Sequence, residues 1–240
     1  MKYKLTEETK VVNGHTLHRI VCATAFASVS VGDIGGWVES TNNLSQFGNA
    51  WVYGDAKVCG DAKVYGDAKV YGNAKVCGDA KVCGDAEVCG NAWVSGNAEV
   101  YGNAKVCGDA EVCGNAWVYG DAEVYGNAWV YGDAKVCGDA KVCGNAWVSG
   151  NAWVSGDAEV CGDAKVCGNA DCIVLKNSWN SGRYFTYTAS NKKWKVGCFY
   201  GTGEELIAKA YEDSELSGKC YEASVNYVEE IERIKKEQKK

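Results

Sequence analysis

The sequence predicts an all-β solenoid, a parallel β-helix built from six-residue repeats. From Gly48 to Gly168 a glycine recurs at every sixth position without a miss, in the pattern Gly-Asx-Ala-x-Val-x, where Asx is Asp or Asn. Side chains alternate along a strand, so the alanine and the valine share one face and the two variable residues share the other. The Ala/Val face is the buried one. A glycine every six residues excludes an α-helix, because each one costs about 1 kcal/mol relative to Ala.

The charges on the outer face predict three repeats per coil. Residues one coil apart lie side by side in a parallel stack, where opposite charges are favoured. We compared the charges of residues that follow the repeat alanine. When these residues are taken 18 apart, six charged pairs have opposite signs and two have the same sign, a larger excess of opposite pairs than at 12 or 24 residues. One ladder alternates throughout: Lys69, Glu87, Lys105, Glu123, Lys141, Glu159.

A coil with three six-residue sides is a triangular prism, and the chain here resembles the left-handed β-helix of the hexapeptide-repeat family. It is most similar to bacterial and phage proteins with near-perfect Gly-Asx-Ala-x-Val-x repeats, some of them labelled putative transferases. The resemblance covers residues 48–170, and GDIGGWVESTNNLS resembles the usual lead-in of these proteins. The left hand of the helix is implied by this resemblance, since periodicity alone does not fix it.

The repeats divide the chain into three regions. Residues 1–47 are expected to form an N-terminal cap, residues 48–170 the β-helix, and residues 171–240 a small C-terminal α+β region. The last region begins with the aromatic strands RYFTYT and KKWKVGCFY, and a helical pattern starts at about Glu204. Both ends of a β-helix are open sheet edges that invite association, so the two flanking regions should cover them.

The composition argues against several classes of function. The net charge of −6 argues against general nucleic-acid binding, which needs a basic stripe. No apolar stretch is long enough to cross a membrane, and MKYKLTEETK lacks the apolar segment of a signal peptide. The expectation is therefore a cytoplasmic protein without membrane contact, in which the 14 cysteines are reduced thiols.

Catalytic and metal sites are not expected. The family resemblance implies acyl transfer as one possible activity, but those enzymes use a histidine on a coil as general base. This chain has only His15 and His18, both before the first coil, so no catalytic residue is carried over. The two histidines are expected to face opposite ways in a strand, which disfavours joint metal binding. No cofactor is predicted.

Two kinds of outer residue stack on the 18-residue register. Three cysteine pairs fall within disulfide range, although free thiols are the expectation for a reducing cytosol. The pairs are Cys59/Cys77, Cys89/Cys107 and Cys143/Cys161. At one corner an aspartate column could bind calcium, but corner side chains that bond their own backbone are the favoured interpretation. This column is Asp121, Asp139 and Asp157.

Exposed aromatic residues are the strongest indication of function. Tryptophans are concentrated on two adjoining sides of the prism, while the side with the Lys/Glu ladder holds only Trp51, in its first coil. Such clustering favours an interface, and the family resemblance implies a homotrimer of parallel prisms. Alternatively, the aromatics only stabilise stacks between strands. The interface candidates are Trp93, Trp129 and Trp147 on one side, Trp117 and Trp153 on the next, and Tyr101, Tyr119 and Tyr131 among them.

The C-terminal region offers a second set of candidates. Aromatic strands with adjacent cations could stack a base or hold a phosphate, and a small cap with an apolar interior would use the same residues. The candidates are Arg183, Tyr184, Tyr187, Lys193, Trp194 and Lys195.

The favoured function is non-catalytic: a rigid, homotrimeric prism that presents flat repeat surfaces to a partner or to its own copies. Two alternatives stay open. One is a phage-type decoy that sequesters a small molecule, such as a signalling nucleotide, at clefts between subunits. The other is an acyltransferase that lacks the usual coil histidine.

Overall fold

The computed structural model describes residues 1–238 and contains a parallel β-solenoid of about seven turns. Twenty two-residue strands, each formed by the residue after alanine and the valine, run from β4 (Trp51–Val52) to β23 (Lys165–Val166) at six-residue intervals. Each pairs in parallel with the strand 18 residues away, as Lys69 does with Glu87. The expected coil of three hexads is therefore confirmed; the left hand stays a prediction.

The strands form three flat walls, named here by their outward residues. The charged wall contains Trp51, Lys69, Glu87, Lys105, Glu123, Lys141 and Glu159. The first aromatic wall contains Lys57, Lys75, Trp93, Glu111, Trp129, Trp147 and Lys165. The second aromatic wall contains Lys63, Lys81, Glu99, Trp117, Lys135 and Trp153.

The interior of the prism consists of stacked alanine and valine. From Ala50 to Val166 every repeat alanine and valine is at most 1% exposed. Ala170 is different: it lies in a 3-10 helix, Asn169–Asp171, and is exposed. The last repeat strand ends at Val166, and the chain then turns away to form the C-terminal region.

The corners depend on glycine alone. Gly102 has φ +73°, and a Cβ there would lie 3.0 Å from the nitrogen of Gly120 on the next coil. The Asx residues that follow these two glycines, Asn103 and Asp121, do not take positive φ. The Asx side chains instead link the coils: Asn103 Nδ2 donates to Asp121 Oδ1 at 2.8 Å.

The prism has a chemical direction. Most backbone N–H groups between coils donate to carbonyls of the following coil, as Lys69 does to Ala86 at 2.9 Å and Tyr71 to Val88 at 2.9 Å, whereas Val64 donates in the opposite direction, to the carbonyl of Asn43 at 2.8 Å. Consequently the first coil presents mainly carbonyls without a partner from the repeat, and the last coil presents mainly N–H groups. An unpaired buried backbone group is costly, so each end requires the complementary group from a cap.

Donors close the first coil. Strands β1 (Tyr3–Val12) and β2 (His15–Cys22) form an antiparallel hairpin, and β3 (Ile34–Val38) links it to the first aromatic wall. Lys2 Nζ donates to the carbonyl of Ala50 at 2.8 Å. Asn43 Nδ2 donates to the carbonyls of Gly60 at 2.8 Å and Ala62 at 2.9 Å. The lead-in segment already forms a rung, with Trp37 beside Lys57.

Acceptors close the last coil. Thr186 Oγ1 accepts from the N–H of Glu159 at 2.9 Å, and Ser190 Oγ accepts from that of Lys165 at 2.7 Å. Asp171 Oδ2 accepts two further N–H groups at the end of the repeat, at 2.8 and 3.0 Å. Carbonyls thus meet donors at one end, and N–H groups meet acceptors at the other.

The C-terminal region is a four-stranded antiparallel sheet with two helices. The strands are β24 (Cys172–Lys176), β25 (Tyr184–Thr188), β26 (Lys193–Val196) and β27 (Phe199–Gly201), in that order in the sheet. The helices are α1 (Gly203–Asp213) and α2 (Glu215–Glu237). Phe185, Trp194 and Tyr221 lie in a second, separate core. No helix within residues 1–238 has the length and apolar character required to cross a bilayer.

Candidate binding surfaces

The first aromatic wall carries three half-exposed tryptophans. Trp129 and Trp147 stack with ring centroids 5.4 Å apart and 5° between planes, and Lys165 Nζ lies 4.9 Å from the Trp147 ring. Trp129 is 40% exposed, Trp147 37% and Trp93 39%. Trp129 and Trp147 pack face to face, so each ring covers part of the other. The rest of each ring surface is open to solvent.

The second aromatic wall has the same construction. Tyr101 and Tyr119 stack with centroids 5.0 Å apart, and Lys135 Nζ lies 4.7 Å from the Trp117 ring. Trp153, nearest the C-terminal end, is 55% exposed and donates Nε1 to Cys137 Sγ at 3.0 Å. Stacking within a wall and open ring surface therefore coexist on the second aromatic wall.

Lysine and glutamate alternate along the charged wall, and one of the resulting pairs is in close contact. Lys69 Nζ lies 3.7 Å from Glu87 Oε1, and Tyr71 donates its hydroxyl to Glu87 Oε2 at 3.1 Å. Trp51 is 1% exposed, because Tyr3 and Phe26 of the N-terminal cap pack against it. All five tryptophans of the candidate interface consequently lie on the two aromatic walls.

Two cysteine pairs are joined, which corrects the expectation of free thiols. Disulfides connect Cys89 to Cys107 and Cys143 to Cys161 on the charged wall, with Cα separations of 4.7 and 4.6 Å. The physical reason is the register: equivalent side chains of successive coils point the same way at one strand spacing. The third stacked pair, Cys59 and Cys77 on the first aromatic wall, consists of two free cysteines.

The aspartate column borders an open acidic cleft of about 450 Å³, lined by Asp121, Asp139 and Asp157 and by wall residues of both signs. Asp121 accepts the amide of Asn103, which is a corner contact and not a backbone bond of its own. No group of three His, Cys, Asp or Glu with metal-binding geometry occurs among the described residues.

The two histidines have separate partners. His15 Nδ1 lies 2.9 Å from Glu39 Oε2, and His18 Nδ1 lies 3.3 Å from the carbonyl of Thr6. The hydrogen bond from His15, together with one from the Gly60 N–H, lowers the pKa of Glu39. Both histidines therefore serve contacts of the N-terminal cap.

The C-terminal candidates are divided between the interior and the surface. Tyr187 and Trp194 are 7% and 2% exposed and belong to the second core, with centroids 5.1 Å apart. Lys195 Nζ forms an ion pair with Glu159 Oε2 of the last coil at 3.3 Å. Lys193 lies 3.8 Å from Glu205.

Of the remaining two, Tyr184 is the first residue of β25 and Arg183 immediately precedes it; both are exposed. Burial of the two rings removes the open stacking platform that the sequence suggested, and Lys195 instead fixes the region to the prism.

A cleft that the sequence did not predict lies beside these rings. It has a volume of about 440 Å³, and helix α2 contributes Val228, Glu229 and Arg233 to its lining, opposite Tyr187 and Trp194. Sequence reasoning missed it because the helix residues are distant in the chain from the aromatic strands. The helical pattern after Glu204 was the only available signal.

These features define a β-solenoid repeat protein with chemically distinct end caps and two aromatic walls. Comparison with protein families agrees: the model described as the YdcK beta solenoid repeat matches residues 140–156. This match lies within the repeats and spans less than one coil, so it shows similarity in the repeat unit. A search of curated proteins found no match for the chain.

Proposed function

We propose that this protein is a non-catalytic scaffold, a homotrimer in which the two aromatic walls form the contacts between prisms. The observation that carries the proposal is the placement of all five half-exposed wall tryptophans on two adjoining walls, while the third wall alternates lysine and glutamate. Partly exposed aromatic side chains are characteristic of interface centres.

Two walls are what a cyclic trimer requires. A ring built from identical subunits uses a heterologous interface, in which one patch of each protomer meets a different patch of the next. The first and second aromatic walls provide two such patches. A dimer with a two-fold axis would need only one self-complementary wall, and the second set of tryptophans would stay in solvent.

Substitutions at the two walls test this arrangement. Trp129→Lys places a lysine beside Glu111, and Trp153→Glu places a glutamate beside Lys135, so both fit the charge pattern of their own stacks. Tyr125→Lys on the charged wall is the matched control, since Tyr125 is a 39% exposed aromatic outside the proposed interface. Circular dichroism of each variant confirms that the fold is retained.

Light scattering coupled to size-exclusion chromatography measures the result. The unchanged protein and Tyr125→Lys should have three times the chain mass of 25.7 kDa, and each tryptophan variant should lose the trimer. Mixing the two tryptophan variants should restore association, because the intact first wall of one chain can contact the intact second wall of the other. A monomeric parent protein, or trimers that survive both substitutions, would refute the proposal.

Finer assignments accompany this proposal. The coil of three hexads supports membership of the hexapeptide-repeat family of bacterial and phage β-helices, and we propose a cytoplasmic location. The absence of histidine from the repeats argues against the acyltransferase alternative. Calorimetric titration with acetyl-coenzyme A, and analysis of nucleotides released from the purified protein, distinguish the scaffold from the enzyme and the decoy: the scaffold binds neither.

A further inference from the structure

The pair Cys59 and Cys77 differs from the two disulfide pairs in its surroundings. It occupies successive coils of the first aromatic wall, with the flanking valines Val58 and Val76 in register, which is the same relation that joins Cys89 to Cys107. Both thiols are partly exposed and free. The backbone therefore already holds these two sulfurs in a position that allows a disulfide.

The two thiols are not equivalent. Trp93 on the next coil donates its indole N–H to Cys77 Sγ at 2.9 Å. Lys75, two residues before Cys77 on the same rung, and His15 of the cap place positive charge nearby. Cys59, one coil earlier, has the carboxylate of Glu39 among its charged neighbours. A sulfur that accepts hydrogen bonds near cations is stabilised as the thiolate, whereas one near a carboxylate is not.

We propose that Cys77 is a nucleophilic thiolate and Cys59 its resolving thiol, forming together a thiol–disulfide exchange site for small disulfides such as oxidised glutathione. The site uses only groups of one chain, and it lies on the first aromatic wall, which is also a proposed contact between subunits. The sulfur of Cys77 attacks one sulfur of the small disulfide, breaks its S–S bond and releases the first thiolate. Cys59 then attacks Cys77 in the mixed disulfide; its proton passes to the departing thiolate, and a Cys59–Cys77 bond remains. The protein loses two electrons, and the small disulfide gains them as two thiols.

The acid–base properties agree with these roles. The hydrogen bond from Cys59, that from Trp93, and the charges of His15 and Lys75 lower the pKa of Cys77 to about 6. The thiol of Cys59 donates its proton to the hydrogen bond with Cys77. This hydrogen bond, together with burial and the charge of Glu39, raises the pKa of Cys59. The attacking sulfur is thus ionised at neutral pH, and the resolving sulfur holds its proton until the mixed disulfide forms.

Cys113 provides a matched control within the same column. It is also partly exposed and free, but its stacked neighbours are Ser95 and Tyr131, so no second thiol is in reach. Burial and Glu111 raise its pKa. If exposure alone determined reactivity, Cys77 and Cys113 would react alike. The proposed site predicts that Cys77 reacts differently from Cys113.

The experiment follows alkylation by iodoacetamide at each cysteine, by peptide mass spectrometry, as a function of pH. The Cys77 rate should level off above about pH 7, while the Cys113 rate should still rise beyond about pH 9. Trp93→Phe keeps an aromatic ring and removes the N–H donor, so it should move the Cys77 midpoint to higher pH and leave Cys113 unchanged. In a trimer, neighbouring subunits would cover the first aromatic wall. The measurement is therefore repeated on Trp129→Lys, which should not assemble and should leave both cysteines accessible.

Incubation with oxidised glutathione tests the exchange itself. The parent protein should yield a Cys59–Cys77 crosslinked peptide, Cys59→Ser should accumulate glutathione on Cys77, and Cys77→Ser should accumulate at least tenfold less on Cys59. Equal glutathione labelling of Cys77 and Cys113, or a Cys77 rate that rises in parallel with that of Cys113, would overturn the proposal.

Discussion

The stacked corner glycines allow a quantitative test of the architecture. Gly102→Ala and Gly156→Ala both place a Cβ on a backbone with positive φ, +73° and +62°. At Gly102 the new atom meets Gly120 of the next coil, with the nitrogen at 3.0 Å and the oxygen at 3.1 Å, whereas at Gly156 nothing lies within 4 Å. The pair therefore separates the cost of the conformation from the cost of coil stacking.

The magnitudes follow from these contacts. A left-handed conformation costs an alanine about 1–2 kcal/mol, and the stiffer unfolded chain returns about 0.4–1 kcal/mol, so Gly156→Ala should destabilise by about 0–1.6 kcal/mol. The overpacked contact adds about 1–3 kcal/mol, which brings Gly102→Ala to about 1–4.6 kcal/mol.

Equilibrium urea unfolding, followed by circular dichroism and by tryptophan fluorescence, measures both variants against the parent protein. Coincidence of the two signals shows that one transition is being compared. Equal losses in the free energy of unfolding would mean that the close approach of successive corners carries no energetic weight, and would refute the reasoning about coil stacking.

Three further predictions concern the caps and the charged wall. Asn43→Ala leaves two carbonyls of the first coil without donors and should cost about 2–3 kcal/mol of unfolding free energy, whereas exposed Asn42→Ala should cost little; urea unfolding of both decides. Burial lowers the pKa of Lys2 to about 8, so the folded protein binds fewer protons than the unfolded chain between that pH and the ordinary lysine pKa, and stability should rise across this interval. Lys2→Met should abolish the contribution of Lys2 to the rise between about pH 8 and about pH 10.5, and an undiminished rise would contradict the assignment. Glu87→Lys sets three lysines on successive rungs and should cost about 1 kcal/mol or less at low salt, a loss that should shrink as salt is added; a salt-independent loss would point to packing instead.

Much of the fold could be predicted because one short pattern repeats. The charge alternation from Lys69 to Glu159 gave the coil length, and each rung pairs accordingly. The two aromatic walls follow directly from that register. The burial of Tyr187 and Trp194 could not be predicted, since it depends on where α2 packs against the aromatic strands. A rule based on composition could not distinguish a buried ring from a stacking surface.

The cysteines show the same division. The 18-residue spacing identified the three stacked pairs, but the expectation of free thiols came from the assumed compartment, not from geometry. The surroundings of Cys77 depend on Trp93 from the following coil and on His15 from the cap. Only the folded chain brings these groups together.

The sequence by itself determined the prism: inward Ala and Val, glycine corners and three walls of defined composition, because each repeat contacts only its own copies and a local pattern is sufficient. The tertiary structure decided how the prism ends. Most backbone hydrogen bonds between coils point the same way, so Lys2 and Asn43 supply donors at one end, and Asp171, Thr186 and Ser190 supply acceptors at the other. These contacts join residues from outside the repeat to its edges, and no periodicity specifies them.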